Sequence, residues 1–243
     1  MTMNLNRLRS TLKMDLKLEL NYGFYHATAI VTAIWLIILL QLNAEILYPF
    51  FPFFVLSNMT ITSFYFMAAM VLFEKNEGTI NNLAVTPITF GEYLSSKIIS
   101  LSFIAVTESF LIIAVVFREF KMNFIFVILG LFLLSLVNSL LGFIAISGYD
   151  TITDFFIPSI GWLSLLSVPV AWYLRSIDGA FRQIEWIYYI FPSMGPFRII
   201  TAGFISTSYI EVLFSLVMSG VFVYFLFLVA KSRYNTRIVR RTV

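Results

Sequence analysis

The sequence predicts an all-α integral membrane protein with six transmembrane helices, and three observations carry that reading. Hydrophobic residues make up 60% of the 243 positions and charged residues 12%, against about half and about a quarter in soluble domains. The mean hydropathy is +0.91, so there is more apolar surface than one globular core can hide. Six runs reach the roughly 20 mostly apolar residues that a helix needs to cross the hydrocarbon core. None shows the short in-out alternation of a membrane strand.

The first element precedes the spans. Leu5, Leu8, Leu12, Leu16 and Leu20 recur at helical spacing, with Arg7, Lys13 and Lys17 beside them and Arg9 near the stripe. Residues 4–20 therefore predict an amphipathic helix lying in the membrane interface. The plainer alternative is a basic flank that only orients the first span. The spans are predicted at Phe24–Leu42, Tyr48–Phe73, Ile98–Phe117, Phe124–Ser147, Phe155–Leu174 and Val212–Ala230. The first run lacks a small-x-small cleavage pattern at its end, so it reads as a retained helix.

A seventh run, Ile184–Ile205, is long enough to cross but holds Glu185, Pro192, Gly195, Pro196 and Arg198. Its prolines break the helical ladder twice. Charge decides its fate. Six spans place both termini on one side, together with Arg7, Arg9, Lys13, Lys17, Lys75, Lys97, Lys231, Arg233, Arg237, Arg240 and Arg241. The other side keeps Arg118, Lys121, Arg175, Arg182 and Arg198. By the positive-inside rule the richer side is cytoplasmic, and a seventh span would export the basic C-terminal tail. Residues 176–209 are thus expected to form an outer loop with a Pro-broken, re-entrant or interfacial pair of half-helices. Trp186, Tyr188, Tyr189 and Phe191 suit an interfacial aromatic belt there. The whole chain, 1–243, reads as a single transmembrane domain.

Residues 74–97, EKNEGTINNLAVTPITFGEYLSSK, form the longest polar stretch and face the cytoplasm in this topology. Gly78-Thr79 stops the helix arriving from span 2. Ile80, Leu83 and Ala84 share one face of a short helix, and Thr86-Pro87 ends it, because the residue before a proline leaves the α region. The next helix has two possible starts. Thr86 can cap it with Pro87 at the first position. Alternatively Thr89-Phe90-Gly91-Glu92 is a capping box with Ile88 and Tyr93 as a hydrophobic staple. The second is preferred, since two devices agree there. A plain linker needs none of this. From the segment's physics alone, docking of a partner and packing on the chain's own bundle stand level.

The order Glu74-x-x-x-Gly78-Thr79-x-x-x-Leu83-x-x-Thr86-Pro87-x-x-x-x-Glu92-Tyr93-Leu94-x-x-Lys97 resembles the cytoplasmic loop of ABC-2-type permeases, the membrane subunits of many ABC exporters. The interfacial N-terminal helix, the six spans and the Pro-broken segment before span 6 occur in that family in the same order. The chain is similar to its small drug-export members, fluoroquinolone-export permeases among them. The resemblance implies the ABC-2, type V exporter-like fold, with a coupling helix between spans 2 and 3 seated in a groove of a separate ATP-binding subunit. It implies a coupling interface of Glu74, Glu77, Gly78, Thr79, Leu83, Ala84, Thr86 and Pro87, with the two glutamates flanking it. It also implies a second permease subunit, as a homodimer or heterodimer, and ATP with Mg²⁺ held by the partner ATPase. The chain itself has no Gly-x-x-x-x-Gly-Lys-[Ser/Thr] P-loop, and no cofactor is expected in it. The implied function is export of a hydrophobic or amphipathic, drug-like compound across the cytoplasmic membrane. Lipid and polysaccharide exporters share the architecture.

Glu108 is the most unusual residue within a span, eleven positions after Lys97 and ten before Arg118. A carboxylate at the membrane centre costs about 2.5–3.5 kcal/mol on insertion scales, so it must face protein or water. Glu108 and Asn138 are candidates for the translocation path. The alternative is a structural hydrogen bond to Thr107, Ser109 or a neighbouring helix, as through Asn138. Asp150 and Asp154 are too few ligands for a metal site, and Asp154 is expected to cap span 5. The single histidine, His26, begins span 1 and is given no ligand role. Pro158 and Pro169 are expected to kink span 5, with Ser164 and Ser167 satisfying freed backbone groups. Ser135, Asn138, Ser139 and Gly142 form a small polar stripe suited to helix packing.

Other function classes fare worse. A membrane-embedded enzyme needs a nucleophile–base pair or a metal cluster, and there is no cysteine, no His-Glu-x-x-His and no Gly-x-Ser-x-Gly. A proton- or ion-coupled carrier would use Glu108, but repeated halves and several buried charges are not evident. A scaffold without transport stays open. Nothing points to nucleic acid; the partners expected are the ATPase, the second permease and membrane lipid.

Overall fold

The computed structural model describes residues 4–80, 86–117, 122–177, 185–205 and 207–239, and every regular element among them is helical. Helix α1 spans Leu5–Asn21, with Asn4 as its N-cap. Gly23, at φ 77°, turns the chain by 62° into α2, Phe24–Leu39. Helix α3, Ala44–Met59, runs through a π-helical turn at Thr60–Tyr65 into α4, Phe66–Asn76. Then come α5, Phe90–Val116, and α6, Phe124–Ile146. Span 5 is split into α7, Ile152–Leu166, and α8, Val168–Ile177. Two short helices follow, α9, Glu185–Tyr188, and α10, Met194–Ala202, before α11, Tyr209–Arg233. Five helical stretches are long and apolar enough to cross a membrane, and α2 with its bent partner α1 raises the number to six.

Helices occupy the predicted runs with shifted edges, and α2 alone, at 16 residues, reaches crossing length only together with α1; the largest shift is informative. Span 3 begins at Phe90, not Ile98. Its 27 residues are about 40 Å long at 1.5 Å per residue, so its first turns rise beyond a hydrocarbon core of about 30 Å. The charges that mark 90–97 as loop in the sequence are buried against partners. Span 5 breaks at Ser167, two residues before Pro169. The hydroxyls of Ser164 and Ser167 donate to the carbonyls of Ile160 and Leu163, rather than to the carbonyls four residues before either proline. The cap of α7 is Thr151. Asp154 stands three positions in, its N–H donating to Thr151 Oγ1 at 3.2 Å.

Helix α6 is the axis of the bundle. Glycines let backbone approach it. A Cβ on Gly142 would lie 2.4 Å from the Phe64 carbonyl oxygen, and one on Gly130 would lie 2.7 Å from the Ile200 nitrogen. The polar stripe also packs: Ser63 Oγ donates to Ser135 Oγ at 3.0 Å, and Ser135 Oγ donates to Ser102 Oγ at 2.9 Å. Helix α10 is buried along nearly its whole length against α6 and α11. The Pro-broken segment is therefore inserted into protein, where irregular backbone is tolerated. Tyr189, expected in an exposed belt, is buried instead, its hydroxyl 2.8 Å from that of Ser215. The Trp186 side chain lies outside the described residues.

Contacts sort the bundle into two ends. At one, Asn4 N–H donates to Glu92 at 2.7 Å, Phe90 packs on Tyr234 at 4.8 Å, and Lys75 Nζ donates to the Tyr149 carbonyl at 2.7 Å. Both the start and the end of the described chain gather there, as an even number of crossings requires. At the other, Phe51 stands 4.6 Å from Phe204, and Asn123 N–H donates to the Gly203 carbonyl at 2.7 Å. Large apolar side chains such as Ile34, Ile157 and Val217 remain exposed on the bundle flanks, the pattern of a surface solvated by lipid.

Candidate functional site

The loop end is built on a buried ionic clamp. Helix α1 turns Thr11, Asp15 and Glu19, spaced by four, inward onto α5, while Leu5 and Leu20 of its leucine stripe stay exposed. Lys97, on α5, is 1% exposed. Its Nζ donates to Asp15 Oδ1 at 2.8 Å and to Glu74 of α4, and it stands 4.8 Å from the Tyr93 ring centre. Ser96 Oγ donates to Asp15, and Tyr93 Oη donates to Glu74 Oε2 at 2.7 Å. One turn away, the capping box of α5 is complete: Thr89 Oγ1 accepts from Glu92 N–H, and Glu92 Oε2 accepts from Thr89 N–H at 2.8 Å. Glu92 is fully buried because Arg7 and the Asn4 N–H also reach its carboxylate.

This placement divides the eight coupling candidates. Glu74 faces Lys97 and Tyr93 inside the clamp, so it is not an outward flank of the loop. Glu77 is exposed and accepts from Tyr22 Oη at 2.7 Å. Burial and Glu77 together raise the Tyr22 phenol above its ordinary range, which keeps it a donor. Gly78 ends α4 at φ 70°, a left-handed stop that favours glycine. Thr79 is half-buried and helical, and Thr86 and Pro87 are exposed. Leu83 and Ala84 lie outside the described residues. What the sequence reading missed is the pairing of Asp15 with Lys97 and of Arg7 with Glu92. The recurrence of Thr11, Asp15 and Glu19 every four residues was the available signal.

The second cluster lies at mid-bundle. Glu108 is 4% exposed; its carboxylate accepts from Thr32 Oγ1 of α2 at 3.1 Å and from Thr62 Oγ1 at 3.0 Å. Thr62 belongs to the π-helical turn, whose extra residue per turn redirects side chains and is frequent at functional sites. Asn58 Nδ2 donates to Ser109 Oγ at 2.9 Å. Thr107 instead donates to the Phe103 carbonyl of its own helix at 2.7 Å. Asn138 is fully buried with no hydrogen-bond partner for its amide among the described residues, and the structure does not join it to Glu108. Beside Asn58 and Ser109 a cavity of about 20 Å³ is lined by Trp35, Phe51 and Phe54. That volume is about the size of one water, and Glu108 is not among its lining residues.

Known proteins place the chain. The sequence profile of the Fluoroquinolones export permease protein family matches residues 6–242. Two relatives, both called Fluoroquinolones export permease protein, come from Mycobacterium tuberculosis strains CDC 1551 / Oshkosh and ATCC 25618 / H37Rv. Each is 26% identical over 203 residues, covering 82% of this chain and 82% of the relative. The apolar helices agree with a multi-pass membrane protein. With nearly its full length matched, the chain belongs to the Fluoroquinolones export permease protein family.

Proposed function

We propose that the chain is the membrane subunit of an ATP-driven exporter, moving amphipathic drug-like compounds out across the cytoplasmic membrane while a separate P-loop subunit hydrolyses ATP. The loop end is then cytoplasmic, α1 lies in the inner interface with its leucines toward lipid, and two permease subunits work together. The observation that carries the reading is the contrast within the loop. Glu74, Glu92 and Lys97 are locked inward, whereas Glu77, Thr86 and Pro87 are left outward on that fixed base. A partner pushing on such a mounted knuckle moves α1, α4 and α5 together. The relatives' name supports fluoroquinolones as substrates to try first.

The test is co-reconstitution with the ATP-binding subunit in inverted vesicles, followed by ATP-dependent uptake of a fluoroquinolone. Thr86→Glu or Ala84→Glu is expected to leave folded complex and ATP hydrolysis in place while uptake falls about tenfold. That factor corresponds to about 1.4 kcal/mol of lost coupling. Normal uptake by both variants would reduce the loop to a bracket.

Glu108 supports a second reading, a proton-coupled carrier, because a buried carboxylate held by two hydroxyls is a candidate proton site. Flux that survives an inactive ATPase but collapses with the proton gradient would favour it. Under the exporter reading, Glu108→Gln is expected to assemble normally and to lower export of cationic compounds more than of neutral ones, by roughly tenfold or 1.4 kcal/mol. Equal export of every compound would leave Glu108 a purely structural acceptor.

A further inference from the structure

A concavity of drug-like size stands apart from both Glu108 and the ionic clamp. It lies at the loop end, where the last turn of α6 and the residues after it (Ala145, Gly148, Tyr149) face Trp162 of α7 and Val229 and Arg233 of α11. Its volume is about 440 Å³, within the roughly 300–1,000 Å³ of small-molecule sites and far above the water-sized cavity beside Asn58.

Its chemistry is selective. The lining combines two amphipathic aromatic rings, Tyr149 and Trp162, with a single charged side chain, Arg233, and contains no carboxylate. Arg233 is exposed and forms no ion pair among the described residues. The nearby acid, Asp150, stands 3.7 Å from Lys75 Nζ, which also holds the Tyr149 carbonyl at 2.7 Å and so fixes that wall. The stretch Ile152–Trp172, α7 and the first half of α8, packs lightly, only 28% buried, which leaves the space beside Trp162 unfilled. Gly148 keeps its part of the rim open, since a Cβ there would meet nothing within 4 Å. A planar ring gains offset stacking on tryptophan or tyrosine. A carboxylate gains a charge-assisted, bidentate partner in a guanidinium.

We propose that this cavity is the loading site for planar aromatic carboxylates, with the ring held by Trp162 and Tyr149 and the carboxylate by Arg233. The inference rests on the export reading above. It adds the substrate class recognised at the loop end, before any passage through the bundle. A fluoroquinolone, a fused aromatic ring bearing a carboxylate, has that chemistry; its ethyl ester keeps the ring and loses the charge.

The experiment uses the full chain in nanodiscs of neutral phosphatidylcholine, with binding of norfloxacin and its ethyl ester measured by equilibrium dialysis. The wild type is expected to bind the acid about tenfold more tightly than the ester, the scale of a charge-assisted pair. Arg233→Gln should bring the acid down to the ester and leave the ester unchanged. Gly148→Leu, which fills the cavity without a clash, should weaken both, and thermal unfolding should be unaltered in each variant. Equal binding of acid and ester by the wild type, or wild-type binding by both variants, overturns the site. So does displacement of the acid by low phosphatidylglycerol, which would make the cavity a lipid headgroup site. Intact, Arg233-dependent binding without ATP-driven flux sinks the export reading and keeps the site. Flux that ignores Arg233 and Gly148 does the reverse.

Discussion

Lys97→Ala is expected to remove the folded permease from the membrane. The lysine is 1% exposed, and its ammonium is the counter-charge for both Asp15 and Glu74, each nearly as buried. A buried pair adds little net stability when whole, because desolvation offsets the Coulombic gain. Breaking one is different. The carboxylates left behind are uncompensated, at a cost of about 3–5 kcal/mol, against a total stability of about 5–15 kcal/mol for a typical domain. Three helices lose their common anchor at once, so the loss should appear as low yield and a lowered unfolding midpoint in detergent. The triple variant Lys97→Met, Asp15→Asn, Glu74→Gln removes charge from all three groups and is expected to recover most of the yield. A single Lys97→Ala protein with an unchanged midpoint would show that the clamp contributes nothing to folding.

Gly142→Leu is expected to be the most damaging change outside the clamp. Its Cβ alone would sit 2.4 Å from the Phe64 carbonyl oxygen and 3.1 Å from the Phe64 Cα. The obstacle is backbone of a fully buried residue inside the π-helical turn, so no side chain can swing aside. Overpacking of a tight core costs about 1–3 kcal/mol when neighbours adjust, and here the π-helical turn and α6 must separate. Gly142→Ala should show a smaller fall in the unfolding midpoint of the same sign. Gly161→Leu and Gly220→Leu, where a Cβ meets nothing within 4 Å, are the controls and should unfold like the wild type. Equal midpoints for the Gly142 and Gly220 variants would mean that the close approach of the two helices is not maintained.

The two predictions concern features of different visibility in the sequence. Apolar runs of crossing length are a local property, and the five that the structure gives as single stretches were legible from composition and spacing. The stop at Gly78 and the capping box at Thr89 were legible for the same reason, since each is settled within four residues. The clamp was not. Charged residues are expected at a solvated surface until a partner is known, and the partners of Lys97 stand 82 and 23 positions away. Read alone, Glu92 and Lys97 keep 90–97 in the cytoplasmic segment, as a short helix opened by the capping box; paired, they belong to the first turns of α5. Glu74 was turned outward for the same reason. Glu108 was found by its rarity within a span, but its bonding to Thr32 and Thr62 depends on a π-helical turn that no local pattern announces. The cavity at Arg233 arises where three helix ends diverge, and none of those ends is unusual in sequence.

The separation of Asp15 from Lys97 also orders events during synthesis. At about 5–20 residues per second, the 82 positions between them take the ribosome roughly 4–16 s. Through that interval Asp15 and Glu19 of α1 lack their binding surface on α5. Its leucine face can rest on the bilayer meanwhile. The helix made first thus waits for the third span before it can dock, and a chain stalled before Lys97 would leave the acidic face of α1 unpaired.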